Sequence, residues 1–186
     1  RDFQQNRGTA TEDKVASPLD TRLRKAQNLM TLTLDHRGLC MALLHQPPRN
    51  IVMGLLNAAH LPTADLTDQH LRYFWGFSID TKIVATVGLE PFTTTGLLRS
   101  LVVGPRYRGR GIGTYLVSHA TSVARQMQLR ELYLLTSTAQ EFFDDLGFHV
   151  IDRPSVPSEI SATREYSELC PQHSLVMKID LIESAQ

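Results

Sequence analysis

The sequence predicts an α/β protein of the α+β kind: a mixed, mostly antiparallel central sheet flanked by helices. Three observations carry this. Short β-prone runs at 77–79, 82–89 and 97–103 follow one another across turn-length gaps, the pattern of an antiparallel meander. Between 112 and 128, Ile112, Leu116, Ala120, Val123 and Met127 recur close to the helical period, so one apolar stripe should face a sheet. The run 131–137, ELYLLTS, is apolar and β-prone, as in a central strand covered on both faces.

The elements follow in order. Residues 1–28 are polar and mixed in charge, with too little apolar surface to bury. The segment 1–36 is therefore expected to be a mobile leader, and the folded domain is expected at 37–182. Between 30 and 44, two strand-like runs flank Asp35, His36, Arg37 and Gly38, although a helix around 19–29 fits equally well. After Pro47 and Pro48, the residues Ile51, Leu55, Leu56 and Ala59 show helical spacing that ends at Leu61 and Pro62. Thr63, Ala64 and Asp65 then open a second short helix, with Leu66, Leu71 and Phe74 as its buried side. The strands 77–79 and 82–89 turn at Asp80 and Thr81. A short helix at 139–146 is stopped by Gly147, and 148–151 and 175–181 read as two more strands. The Pro-, Ser- and Glu-rich stretch 153–173 is expected as a long loop, which in a compact domain is more often functional than idle.

With 186 residues, of which 42% are apolar, the chain can bury the core of one ordinary domain. Its formal net charge is zero, so it lacks the electrostatic footprint for nucleic acid or an anionic membrane. No apolar run reaches the roughly 18 residues of a membrane span, and the start lacks a secretory apolar region. Cys40 and Cys170 lie far apart and match no zinc spacing, which fits buried thiols in a reducing compartment, with a disulfide left open. The expectation is a cytoplasmic protein with a small-molecule partner, no metal, no nucleic acid and no membrane. A homodimer is the one assembly left open.

The stretch from Arg106 to Gly113, RYRGRGIG, follows a strand and leads into a helix. Glycines 109, 111 and 113 can take positive φ or admit a ligand close to the backbone, and unpaired amides of the first helical turn point at whatever sits there. The helix dipole favours an anion there by about 0.3–1 kcal/mol, and Arg106, Arg108 and Arg110 add charge. A pyrophosphate suits such a turn. A nucleoside-triphosphate loop would need Lys and then Ser or Thr after its last glycine, where Thr114 and Tyr115 stand. A dinucleotide fingerprint would need glycine at position 114 and an acid near the end of the next strand, where Thr136, Ser137 and Thr138 stand.

What remains, a strand, then Arg108-x-x-Gly111-x-Gly113, then a helix, resembles the acyl-coenzyme A loop of the GNAT superfamily of N-acetyltransferases. The resemblance extends over 37–182. It implies that the sheet splays after the coenzyme-binding strand, and that Leu101, Val102 and Val103 offer backbone groups to the pantetheine. It also implies that Arg108, Gly109, Arg110, Gly111, Ile112 and Gly113 wrap the pyrophosphate of acetyl-CoA, the co-substrate. The strings LPTADL (61–66), LRSLVV (98–103), ELYLLT (131–136), FFDDLGF (142–148) and VPSEI (156–160), with Cys170-Pro171 and Met177, resemble the arsenic-resistance (ArsN-type) N-acetyltransferases most closely. They are also similar to the acetyltransferase part of amino-acid N-acetylating enzymes. Residues 1–36 match neither.

Acetyl transfer needs a neutral amine, and a lysine-like amine with a pKa of roughly 10.4 is overwhelmingly protonated near neutrality. Glu90, at the end of the strand 83–89, is either the base, acting through water, or a solvated carboxylate opening a turn. Leu97 and Phe143 stand where the family often has a glutamate and a tyrosine. The leaving thiolate therefore departs unaided or takes its proton from Ser137 or Tyr166, and the resemblance implies that a backbone amide of 101–103 would hold the oxyanion. Arg99 either clamps an acidic group of the substrate, faces outward, or pairs within the chain. Arg164 and Tyr166 either close over the substrate or belong to a solvated loop. The leading expectation is an N-acetyltransferase acting on a small amino acid or amino-acid-like compound by direct transfer. The rivals are a protein N-acetyltransferase, which would want an open peptide groove, and a non-catalytic acyl-CoA sensor, which Leu97 and Phe143 encourage.

Overall fold

The structure, a computed structural model, describes residues 33–34, 39–171 and 173–182. The expected leader, apart from 33–34, and the alternative helix at 19–29 lie outside the described residues. Strands β1 (Thr33–Leu34) and β2 (Cys40–His45) precede helices α1 (Arg49–Ala58) and α2 (Asp68–Leu71). The meander β3 (Phe74–Ile79), β4 (Lys82–Pro91) and β5 (Thr95–Val103) leads through a 3-10 turn (Pro105–Tyr107) into helix α3 (Ile112–Gln126). Then come β6 (Glu131–Thr136), α4 (Gln140–Asp144), β7 (His149–Ile151), α5 (Ser158–Ser161) and β8 (Leu175–Asp180). Eight strands form one sheet in the order β1-β2-β3-β4-β5-β6-β8-β7, antiparallel throughout except where β5 runs parallel to β6.

The apolar stripe read from the sequence is the buried face of α3: Ile112, Leu116, Ala120, Val123 and Met127 all pack into the main core over β3 to β6. A second cluster forms where α1 meets β5, with Val52, Leu56, Leu66, Leu71, Phe74 and Val102 buried together. Ile51, expected on the buried side of α1, is 37% exposed and Val52 takes its place. The second helix begins four residues later than expected. Thr67 caps it, its side chain accepting from the backbone N–H of His70 while His70 accepts from the backbone N–H of Thr67. Asp65 is thereby left in the preceding turn, and Phe74 opens β3.

Two irregularities in β5 shape the site. The first is a bulge: Gly88 pairs with Arg99 and Thr86 with Val102, so Val87 alone faces Ser100 and Leu101, and Ser100 takes φ +55°. The extra residue shifts the side-chain alternation by one. The second is a splay. β5 pairs with β6 only at Thr95, Gly96 and Leu97, whereas β6 keeps its ladder to β8 as far as Thr136. From Leu98 onward the β6 side of β5 has no strand partner among the described residues.

The expected long loop 153–173 has structure of its own: a 3-10 turn (Arg153–Ser155), α5 and a π-helical turn (Glu165–Leu169). Val156 and Ile160 bury against Leu97, Tyr133 and Val176, and Thr95 donates a hydrogen bond to the Glu159 carboxylate. Apolar anchors thus turn a Pro- and Ser-rich stretch into a packed cover for one face of β5 and β6.

Candidate active site

The splay opens a cleft of about 660 Å³ between β5, the start of α3 and the start of α4. Leu101, Val102 and Val103 form one wall, Arg108, Gly109, Gly111, Ile112 and Gly113 the loop, and Thr138, Ala139 and Phe142 the far side. Gly109 and Gly111 have φ +70° and +74°, and a Cβ on either would meet no protein atom within 4 Å. That side of the backbone therefore faces open space. Gly111 caps α3 without a side-chain hydrogen bond, so the first-turn amides, which have no intrahelical acceptors, are free for an anion. These features fit a pyrophosphate: a close backbone approach, unpaired amides and the positive end of a helix of 15 residues. Arg108 donates through Nε to the Val103 carbonyl at 3.1 Å, which ties the loop to its strand. Arg110, expected in the same loop, is not among the residues lining the cleft; its guanidinium lies over the ring of Tyr107, which does line it, 5.7 Å from the ring centre.

A second cavity of about 440 Å³ lies further along the splay. It shares Leu61, Leu101, Thr138 and Ala139 with the first cleft, so the two adjoin along these residues. Its walls include Arg99, Ser137, Phe143, Glu165 and Cys170. Ser137 and Ser174 join hydroxyls at 2.9 Å. Burial pushes the Cys170 thiol up to about 11, so it carries its proton near neutrality and is a poor nucleophile. Cys40 and Cys170 are both free thiols and only half-buried, so neither the expected full burial nor a disulfide is seen.

Beneath this cavity lies a charge cluster that the sequence did not reveal. Arg99 is almost wholly buried, its side chain 1% exposed. Its Nη1 lies 2.6 Å from Asp65 Oδ2 and 3.1 Å from Glu90 Oε2, and its Nε lies 2.7 Å from Glu165 Oε2. His70 Nε2 stands 3.5 Å from the other oxygen of Glu90. Of the readings left open for Arg99, pairing within the chain is the observed one, and its guanidinium has no fork to spare for a substrate acid. Burial opposes ionisation of Asp65 and Glu90. Contacts with Arg99, and with His70 for Glu90, outweigh it and hold both carboxyls below the usual range. Glu165 goes the other way: burial, reinforced by the charges of Asp65 and Glu90, pushes it up to about 7 despite Arg99. Its Oε2 meets Arg99 Nε off the N–H direction, so neither atom has an aligned hydrogen bond.

The sequence-predicted residues are therefore only partly brought together. The Glu90 carboxylate faces a separate depression beside His70, Tyr73 and Phe92, outside both cavities of the splay. Arg164 is exposed and pairs with Glu168 at 2.9 Å, and its Nη1 donates to the Ala64 carbonyl. Tyr166 donates its hydroxyl to the Arg153 carbonyl at 3.3 Å and stacks under that guanidinium. Neither lines either cavity of the splay. Leu97 and Phe143, at the places of the family's acid and tyrosine, are buried in the core. Asp65 and Glu165 had no local signal beyond the need of a buried arginine for carboxylates.

The model of the acetyltransferase (GNAT) family matches residues 43–148. The chain belongs to the GNAT family. Among curated GNAT relatives, the amino-acid acetyltransferase of Edwardsiella ictaluri (strain 93-146) is 30% identical over 101 residues, covering 53% of this chain and 23% of that protein. The amino-acid acetyltransferase of Mycobacterium tuberculosis (strain ATCC 25618 / H37Rv) is 32% identical over 80 residues, covering 43% of this chain and 42% of that protein. The chain thus spans less than half the length of these relatives. The GNAT fold is shared with N-acetylglutamate synthase from Neisseria gonorrhoeae, solved with coenzyme A and N-acetyl-glutamate. That match has a TM-score of 0.67 at 17% identity and covers 77% of this chain and 35% of that one. It is shared too with Rv2747 from Mycobacterium tuberculosis, solved with CoA and NLQ, at a TM-score of 0.64 and 21% identity over 75% of this chain and 99% of that one.

Proposed function

We propose that this GNAT chain transfers the acetyl group of acetyl-CoA to the amino nitrogen of a small amino acid or amino-acid-like compound. The observation that carries this is the adjacency of the two cavities, which share Leu61, Leu101, Thr138 and Ala139 where β5 has left β6. The loop of Arg108, Gly109, Gly111, Ile112 and Gly113 would hold the pyrophosphate on the amides of α3, with Leu101, Val102 and Val103 along the pantetheine. Bound acetyl-CoA supplies an activated thioester. The chain's part is to align the acceptor nitrogen with it and to exclude water. The amino-acid acetyltransferase relatives and a second cavity of about 440 Å³, covered by the 153–171 segment, favour a small acceptor over a protein segment. The protonated state of Cys170 favours direct transfer without an acetyl-cysteine intermediate. The narrower assignment, an arsenic-resistance type, rests on strings such as those at 98–103 and 142–148 and on Cys170-Pro171, and the proposed place in the cytoplasm rests on the lack of a membrane-length apolar run and of a secretory apolar region in the sequence.

The test is coenzyme A release from acetyl-CoA with a panel of free amino acids, their phosphinic and arsinic analogues, and a peptide with a free N-terminus. Turnover with small amines and none with the peptide is expected. Turnover with the peptide alone would replace this reading with protein acetylation. Tight coenzyme A binding without any turnover would mark a sensor.

A further inference from the structure

Building on the acetyltransferase reading, we propose that Glu165 is the proton acceptor for the substrate's ammonium group, the catalytic base of this site in place of Glu90.

Position comes first. Among the described residues lining the second cavity, Glu165 is the single carboxylate, and that cavity meets the coenzyme cleft at Leu101. Glu90 faces a different depression and is engaged by both His70 and Arg99. Asp65 is consumed by the guanidinium fork. Glu165 Oε2 is wholly buried, 2.7 Å from Arg99 Nε but off its N–H direction, while the side chain as a whole keeps 10% of its surface exposed. Charge comes second. Three carboxylates, from the turn before α2, from β4 and from the π-helical turn, share one guanidinium, so the cluster has room for a further cation at the cavity it borders. An incoming ammonium fills that role and gives up a proton to the least stabilised of the three.

The groups facing Glu165 are Arg99 on β5, Asp65 before α2, Glu90 on β4, His70 on α2 and the thiol of Cys170. Burial and the two acids work against its ionisation and push its carboxyl up to about 7, so near neutrality it can both take and release a proton. The same surroundings explain why the acid that is hardest to ionise borders the cavity.

The step balances as follows. The ammonium passes one proton to Glu165, and the freed lone pair of the nitrogen forms the C–N bond to the acetyl carbonyl carbon. The C–S bond breaks and its electron pair leaves on the coenzyme sulfur. That thiolate takes a second proton from the nitrogen, the third stays on the amide, and Glu165 returns its proton to solvent. No oxidant or metal enters.

Glu165→Gln tests this against the parent, with coenzyme A release followed from pH 6 to 9.5 on the best amine of the panel L-glutamate, L-lysine, L-methionine and tyramine. The parent's kcat/KM should rise through a midpoint near 7. The variant should lose roughly 100-fold at neutral pH and lack that limb, the gap closing toward pH 9.5, with coenzyme A affinity unchanged. Glu165→Asp should keep the limb at a reduced rate. A variant that retains the limb, or falls equally at every pH, overturns the proposal while leaving the acetyltransferase reading intact. Absence of parental turnover on every amine overturns both. A readout that needs no variant is the side-chain carboxyl NMR titration of the folded parent. A Glu165 midpoint near 7 supports the proposal, and one below 5 overturns it.

Discussion

Arg99 and Asp65 meet as a two-point fork, Nη1 to Oδ2 at 2.6 Å and Nη2 to Oδ1 at 2.9 Å. It joins the bulged part of β5 to the turn ahead of α2. A guanidinium fork matches both oxygens of one carboxylate, which a lysine ammonium cannot do. Here that match is spent inside the protein, so the arginine gathers Asp65, Glu90 and Glu165 beside the second cavity instead of offering its fork to a bound acid.

Arg99→Lys should therefore act on stability before it acts on specificity. Breaking a buried ion pair by removing one partner costs about 3–5 kcal/mol, and a lysine that keeps the charge but loses the fork should cost less than this. Urea denaturation should show that loss, and the Michaelis constants for acidic and neutral amines should move together. A rise confined to acidic amines would mean that Arg99 reaches the substrate directly.

Gly111→Ala places a methyl where the backbone has φ +74° and no protein atom within 4 Å. The left-handed conformation costs a non-glycine residue about 1–2 kcal/mol, a modest drop in melting temperature. Loss of coenzyme A affinity should exceed that share, by tenfold or more in Kd, because the methyl occupies the approach of the pyrophosphate. Gly54→Ala is the control, since Gly54 lies in α1 with open space around it. Isothermal titration separates the two, and equal coenzyme affinity in both variants would remove the loop from the binding site.

Stability should also carry a pH signature from His119. Burial, helped by the nearby His45, lowers His119 to about 4, and its Nε2 has no hydrogen-bond partner. Below its ordinary value the unfolded chain takes up the proton first. The stability linked to a neutral His119 is thus complete above about pH 6.5 and is lost as pH falls toward 4. Glu165 has the opposite sign: its folded value of about 7 lies above the ordinary one, so its contribution declines as pH rises from about 4.5 to 7. Urea midpoints of His119→Leu relative to the parent should improve toward pH 4.5. A difference that does not change with pH would show that the imidazole ionises freely in the folded protein.

What was legible in the sequence was local. The stripe from Ile112 to Met127 names the buried face of α3 because helical periodicity needs no knowledge of the partner sheet. The turn around Gly109 and Gly111 was readable because positive φ and helix N-termini are short-range facts. The cluster was not. Arg99 stood out as an arginine in an apolar strand, but its partners come from three separate segments, and no spacing links them. In the stretch 164–166 the two flanking residues looked functional and the middle one did not. On the π-helical turn Arg164 runs to solvent while Glu165 is turned inward, an alternation that a featureless loop would not impose. The missed start of α2 has the same origin, since Thr67 rather than Thr63 finds a partner for its cap.

The extra residue in β5 divides the strand between two tasks. Leu98 to Leu101 line the second cavity, and Leu101 to Val103 line the first cleft. The bulge at Ser100 and Leu101 returns Val102 to the face that Arg99 occupies. Deleting one residue there would turn the rest of the strand over and lose both halves at once. Replacing residues on the Arg99 side leaves the donor half in register. The bulge thus ties the register of the strand's second half to the number of residues between Arg99 and Val102, and leaves it independent of which side chains stand before them.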